Sequence, residues 1–207
     1  FLAKTVGEWE ITGSERMKNR PISVLVDALN KLGARIEYAE KQGFPPLRIF
    51  GSALIGGEIQ LDGSVSSQYI SALMMIAPFM QKGLKISLSG NIVSVPYIEM
   101  TIRMMKEYGV DVSFKGQIIE IKPQEYQPVL FRVESDWSAA SYWYEILSFF
   151  QSGKIFLSGL FENSFQGDSK VATIFEQLGV HTDYLADGVL LTPNETSIQL
   201  FEYDFVD

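Results

Sequence analysis

Apolar and polar residues alternate along this chain in blocks that switch between two periods. Ile70, Leu73, Met74 and Ala77 fall at i, i+3, i+4 and i+7, the spacing of a helix with one buried face. Elsewhere the period is two, as in Ala34/Ile36/Tyr38, Val110/Val112/Phe114 and Val180/Thr182/Tyr184. Each of these predicts a half-buried strand ending on an aromatic. Glycines punctuate the blocks at a fixed interval. Gly7, Gly83 and Gly153 each open a short strand, and a second glycine follows twenty-six residues later, at Gly33, Gly109 and Gly179. The later glycines end amphipathic segments, where a left-handed residue terminates a helix. A further strand follows at Pro46–Ile49, Gln117–Ile121 and Gly188–Thr192. Each unit therefore reads helix–strand–loop–helix–strand–strand.

Three copies spaced about 70 to 76 residues apart are too long for a solenoid repeat. They predict an α/β (α+β) protein of packed βαβαββ units: two in residues 1–133, one in 134–207, with the crossover near Val133 to Ser135. The first copy begins within or just after its opening helix, and Ile198 to Asp207 starts a further element and stops. The chain is thus expected to be a segment of a longer protein.

Composition narrows the chemistry. The 207 residues are 46% hydrophobic and 20% charged, enough for a sizeable core. A net charge of −8 disfavours a nucleic-acid or anionic-membrane surface. The absence of cysteine excludes disulfides, thiolate metal sites and a cysteine nucleophile. His181 is the single histidine and sits at an outward strand position, so a Ser-His-Asp triad or a histidine-rich metal site is not expected. Ile70 to Met80 is the longest apolar run; it contains Pro78 and is too short to cross a bilayer.

Candidate chemistry collects where strands hand over to helices. In Asp62-Gly-Ser-Val-Ser-Ser-Gln-Tyr69, Ser64, Ser66 and Ser67 are all plausible helix caps. One hydroxyl suffices, leaving the others and Gln68 to donate outward beside a helix start that favours anions. An over-capped helix explains the same local sequence equally well. Upstream, Arg16, Lys18 and Arg20 place three cations within five residues, before Pro21 as first helical residue. An arginine there suits a carboxylate or phosphate, whereas Lys18 reads better as a solvated charge. The equivalent second loop, Asn91 to Tyr97, offers Ser94 as a cap and Tyr97 to pack or to lie against a ligand ring. The third, Glu162 to Asp168, is polar without a cation.

These residues carry a family resemblance. Glu15-Arg-Met-Lys-Asn-Arg-Pro-Ile22, Leu25-Val-Asp-Ala-Leu29, Pro45-Pro-Leu-Arg-Ile49, Gly63-Ser-Val-Ser-Ser-Gln68, Val93-Ser94 with Pro96-Tyr97-Ile98, and Asp136-Trp-Ser-Ala-Ala-Ser-Tyr142 together resemble the central part of the EPSP synthase family of enolpyruvyl transferases. The resemblance implies two domains, each of three such units, closing on substrates between them. Residues 1–133 would belong to the upper, substrate-binding domain and 134–207 to the lower one. It assigns Arg16 to phosphoenolpyruvate. It assigns Ser66, Ser67 and Gln68 to shikimate 3-phosphate, with Gln68 also reaching phosphoenolpyruvate, and Ser94 and Tyr97 to the phosphate and ring of shikimate 3-phosphate. The implied reaction is cytoplasmic and needs neither metal nor cofactor. Its acid–base carboxylates and lysine are expected outside these residues, in partner segments preceding Phe1 and following Asp207, which would leave the chain inactive alone. Asp136 matches a family carboxylate, yet reads at least as well as a helix N-cap. One departure stands out: Val95 occupies a position where the family often has lysine. The nucleotide-sugar enolpyruvyl transferases share fold and donor, but use a cysteine in the donor loop, which is absent here. A non-catalytic module of the same fold is the remaining alternative.

Overall fold

A computed structural model describes residues 1–93, 95–195 and 201–203. Ser94, expected at the site, and most of Ile198 to Asp207 lie outside the described residues. The chain divides into two compact units, Phe1–Val129 and Leu130–Asp207. The expected crossover, Val133 to Ser135, lies at the start of the second.

The first unit contains β1 (Glu8–Ile11), α1 (Glu15–Lys18), α2 (Ser23–Lys31), β2 (Arg35–Tyr38), β3 (Leu47–Phe50), β4 (Gly57–Asp62), α3 (Ser67–Ile76), β5 (Leu84–Ser89), α4 (Val95–Glu107), β6 (Val112–Lys115) and β7 (Ile118–Ile121). The second contains α5 (Trp137–Ser148), β8 (Ile155–Ser158), α6 (Val171–Gln177), β9 (Val180–Leu185) and β10 (Gly188–Pro193). The repeat is visible in the sheets. Their orders are β1-β3-β2, β5-β7-β6 and β8-β10-β9, so the last strand of each copy inserts antiparallel between the other two. Only the middle copy shows the whole βαβαββ pattern among the described residues, because β4 adds a parallel edge to β5. The third copy opens on a helix and follows the order helix–strand–loop–helix–strand–strand. Residues 122–136 before it form no strand; Leu130 and Val133 are among the most exposed of the described residues, whereas Phe131 stacks on Phe165. Ser135 N–H donates to the Gly159 carbonyl (2.8 Å), and Arg132 pairs with Asp187 (3.5 Å) in the turn between β9 and β10.

Helix burial follows the periodicity. Ile70, Leu73, Met74 and Ala77 are fully enclosed, and α4 buries Ile98, Thr101, Ile102 and Met105 at the same spacing. Against them lie Leu84, Ile86 and Leu88 of β5 and Ile119 and Ile121 of β7. Each fully buried aliphatic side chain contributes roughly 1.5–3 kcal/mol, so these alternating positions carry the unit. The second unit has its own core around Trp137, Tyr144, Leu160, Val180, Val189 and Leu191. There the Tyr144 hydroxyl pairs with Thr182 (2.9 Å), and burial pushes its phenol up to about 12, so it stays neutral.

The glycines end their helices as the spacing requires. Gly33 has φ 100° and Gly109 φ 79°, and both close Schellman turns. In the first, Ala34 N–H bonds to the Leu29 carbonyl (3.0 Å); in the second, Val110 N–H bonds to that of Met105 (3.0 Å). The two differ in surroundings. A Cβ on Gly33 would stand 3.0 Å from the backbone nitrogen of Ile55, whereas one on Gly109 would meet only the Gln127 side chain. Gly33→Ala is therefore expected to cost more than Gly109→Ala. The left-handed conformation alone costs about 1–2 kcal/mol, and crowding of the backbone adds to it at Gly33. The urea midpoints of the two variants check this order.

Candidate functional site

The α3 helix start differs from what the hydroxyl count suggests. Ser64 is engaged elsewhere: its N–H and hydroxyl both donate to Asp62 Oδ1 (2.8 and 2.6 Å). Those bonds hold the Asp62 carboxyl below its usual range and shape the turn that delivers the chain to the helix. Ser66 occupies the N-cap position with φ −51° and ψ 125°, but its side chain makes no capping bond. Among the described residues, the side chains of Ser66, Ser67 and Gln68 form no hydrogen bond. An α3 start with first-turn N–H groups pointing outward thus carries two hydroxyls and an amide that are all uncommitted.

The register between α3 and α4 brings Tyr97 to the same place. The Thr101 hydroxyl donates to the Tyr97 carbonyl (2.9 Å) and accepts from Ser71 (2.8 Å) thirty residues earlier. The same offset sets Ser67 alongside Tyr97, and both line a cleft of about 650 Å³ with Gln68. Further along, Met75, Met104, Tyr108 and Tyr126 make the cleft apolar. Tyr97 is half exposed in the first turn of α4, with Val95 as that helix's first residue.

The arginine loop borders α3. Ser14 caps the short α1 through Met17 N–H (3.4 Å), and Asn19 Nδ2 donates to the Glu15 carbonyl (2.8 Å). Lys18 pairs with Glu40 (3.5 Å) and Glu15 (3.9 Å), in keeping with a surface charge. Arg16 and Arg20 are exposed and make no ion pair among the described residues. At the loop's end the Tyr69 hydroxyl donates to the Pro21 carbonyl (2.7 Å), a contact across 48 residues. Sequence reasoning missed this contact, as it missed the Ser71–Thr101 pair. Nothing local to either partner signals it.

The equivalent helix start in the second unit is the opposite case. Asp136 Oδ1 caps α5 by accepting from Ser138 N–H (2.8 Å) and Ala139 N–H (3.3 Å). Gln166 Oε1 accepts from Trp137 N–H (2.9 Å), and its Nε2 donates to the Ser135 carbonyl (2.8 Å). Ser164 donates to Glu134, which also receives Phe165 N–H (3.2 Å), and Ser138 donates to Asp168. Polar groups there satisfy one another, and Asp136 serves as a helix cap. One of these two homologous corners is closed and the other open.

His181 stands apart from this chemistry. Its Nδ1 lies 3.0 Å from Glu176 and its Nε2 3.3 Å from Asp183, and hydrogen bonding to Glu176, above all, raises its pKa from 6.5. A raised folded-state pKa contributes stability that is full below pH 6.5 and is lost as pH rises through the folded value. The second unit is thus expected to lose stability as pH climbs above 6.5, and His181→Gln to flatten that slope in thermal unfolding. Among the described residues there is no acidic, histidine or cysteine cluster able to hold a metal and no helix long and apolar enough to cross a membrane.

Comparison with known proteins places this chain in a family. The model of EPSP synthase (3-phosphoshikimate 1-carboxyvinyltransferase) matches residues 1–200. A 3-phosphoshikimate 1-carboxyvinyltransferase from Bacteroides fragilis is 51% identical over 208 residues, covering 100% of this chain and 51% of the relative. One from Haemophilus ducreyi is 41% identical over 180 residues, covering 86% and 41%. The chain spans about half the length of the curated relatives it matches. Among solved structures, an EPSP synthase from Acinetobacter baumannii superposes with a TM-score of 0.72 at 21% identity, over 94% of this chain and 44% of that one, which shows the shared fold. With a family model matching nearly its whole length and a relative 51% identical along all of it, this chain belongs to the EPSP synthase family.

Proposed function

We propose that this chain supplies substrate-holding groups for transfer of the enolpyruvyl group from phosphoenolpyruvate to the 5-hydroxyl of shikimate 3-phosphate. The observation that carries the reading is the open α3 corner. Ser66, Ser67 and Gln68 offer uncommitted donors at a helix N-terminus, with Tyr97 beside them and unpaired Arg16 in the adjoining loop. Hydroxyls, an amide and first-turn N–H groups suit a phosphate monoester. A guanidinium suits the phosphate or carboxylate of phosphoenolpyruvate. Phe1–Val129 then belongs to the substrate-binding upper domain and Leu130–Asp207 to the lower one, with other segments of a cytoplasmic enzyme completing the site.

In this reaction the 5-hydroxyl oxygen bonds to C2 of phosphoenolpyruvate, C3 takes up a proton and the hydroxyl proton passes to a base. The C2–O bond to phosphate then breaks and C3 gives up a proton, which restores the vinyl ether. The role of this chain is to hold both anions in register and to offset their charge. The acid–base groups come from elsewhere in the enzyme. Val95 leaves the phosphate cradle one cation short of the usual family pattern. Val95→Lys is accordingly expected to tighten shikimate 3-phosphate about 2- to 5-fold, the scale of an exposed ion pair, as read by isothermal titration.

A chimera tests the proposal. This chain is substituted for the matched 208 residues of the Bacteroides fragilis relative, and phosphate release from the two substrates is followed. Turnover comparable to that of the unaltered relative is expected. A chimera that unfolds at the relative's temperature yet releases no phosphate would contradict it.

A further inference from the structure

We infer that Tyr69 is a positioning residue that couples the two anion-holding segments. It follows Gln68 directly, so its backbone belongs to the first turn of α3, while its hydroxyl reaches back 48 residues to the Pro21 carbonyl (2.7 Å). Pro21 ends the loop that carries Arg16, and the next residue, Ile22, is fixed in turn by its N–H to the Gly43 carbonyl (2.9 Å). Ser14 pins the other end of the loop through α1. Between these anchors the loop borders no partner that holds Arg16 itself: its side chain is exposed and unpaired among the described residues. The Tyr69 bond thus links, through a side chain, the helix start bearing Ser66, Ser67 and Gln68 to the loop bearing the guanidinium. A bidentate guanidinium contact is sensitive to small displacements, so one hydroxyl sets how well Arg16 meets an anion held next to α3.

The inference rests on the reading under Proposed function, and the test separates the two. Amide NMR follows titration of the full chain with shikimate 3-phosphate, and then with phosphoenolpyruvate at saturating shikimate 3-phosphate. Tyr69→Phe removes the hydroxyl and keeps the ring. We expect the backbone amides of Glu15 to Arg20, and that of Ile22, to shift in this variant. Affinity for phosphoenolpyruvate should fall about 3- to 10-fold, the scale of one lost hydrogen bond, while that for shikimate 3-phosphate changes less than 2-fold, roughly the limit set by an unaltered α3 start. In an Arg16→Ala background, Tyr69→Phe should have no further effect on phosphoenolpyruvate, because its influence runs through Arg16. Equal weakening of both ligands, or full additivity with Arg16→Ala, overturns the inference and leaves the site reading standing. Failure of the unaltered chain to bind either probe overturns both.

Discussion

Replacing Arg16 by alanine in the Bacteroides fragilis chimera is expected to lower kcat/KM for phosphoenolpyruvate about 10²–10³-fold, the loss typical of removing one aligned charge donor. The size follows from what the structure leaves around this residue. Lys18 is already paired with Glu40 and Glu15, so it cannot take over without losing those contacts. Arg20 is unpaired among the described residues but lies beyond Asn19, whose side chain folds back on α1. Arg16→Lys restores the charge without the planar fork, and should recover only part of the loss. Steady-state phosphate release measures all three proteins. A change below about 5-fold, little more than an exposed ion pair contributes, would mean that Arg16 faces solvent in the working enzyme.

The second large effect concerns the smaller core. Trp137→Ala is expected to destabilise the second unit by about 3–5 kcal/mol, the usual range for deleting a buried aromatic. Trp137 is fully enclosed among Tyr144, Leu160, Val180, Val189 and Leu191, and it is the first residue of α5, next to the Asp136 cap. A unit of this length holds roughly 4–12 kcal/mol in total, so the loss is a large share of it. Hydrogen exchange should then show fast amides throughout β8, β9, β10 and α6. The protection around Ile70, Leu73 and Ile86 should persist, because those residues belong to a separate core. Simultaneous loss of protection in both units would contradict the separation of the cores.

How much of this was legible beforehand depends on the range of the interaction. The glycines at 33, 109 and 179 could be read because a left-handed helix end strongly favours that residue type, and their spacing exposed the repeat. The buried stripe of α3 could be read because period 3.6 is set by backbone geometry alone. The choice of cap could not. Ser64, Ser66 and Ser67 are chemically alike, and only the turn geometry commits Ser64 to Asp62. The quiet α5 corner was also hidden, since Gln166 reaches Trp137 across 29 residues and Ser164 reaches Glu134 across 30. The substrates came from resemblance: hydroxyls and an arginine indicate an anion without specifying which one.

The central claim is that the α3 corner holds a phosphate monoester. Adding shikimate 3-phosphate to the full chain should move the amides of Ser66, Ser67, Gln68 and Tyr97 with a dissociation constant of roughly millimolar, about 4 kcal/mol of binding. Shikimate without its phosphate should leave them in place at the same concentration. Equal shifts with both compounds, or shifts confined to other residues, would contradict the account.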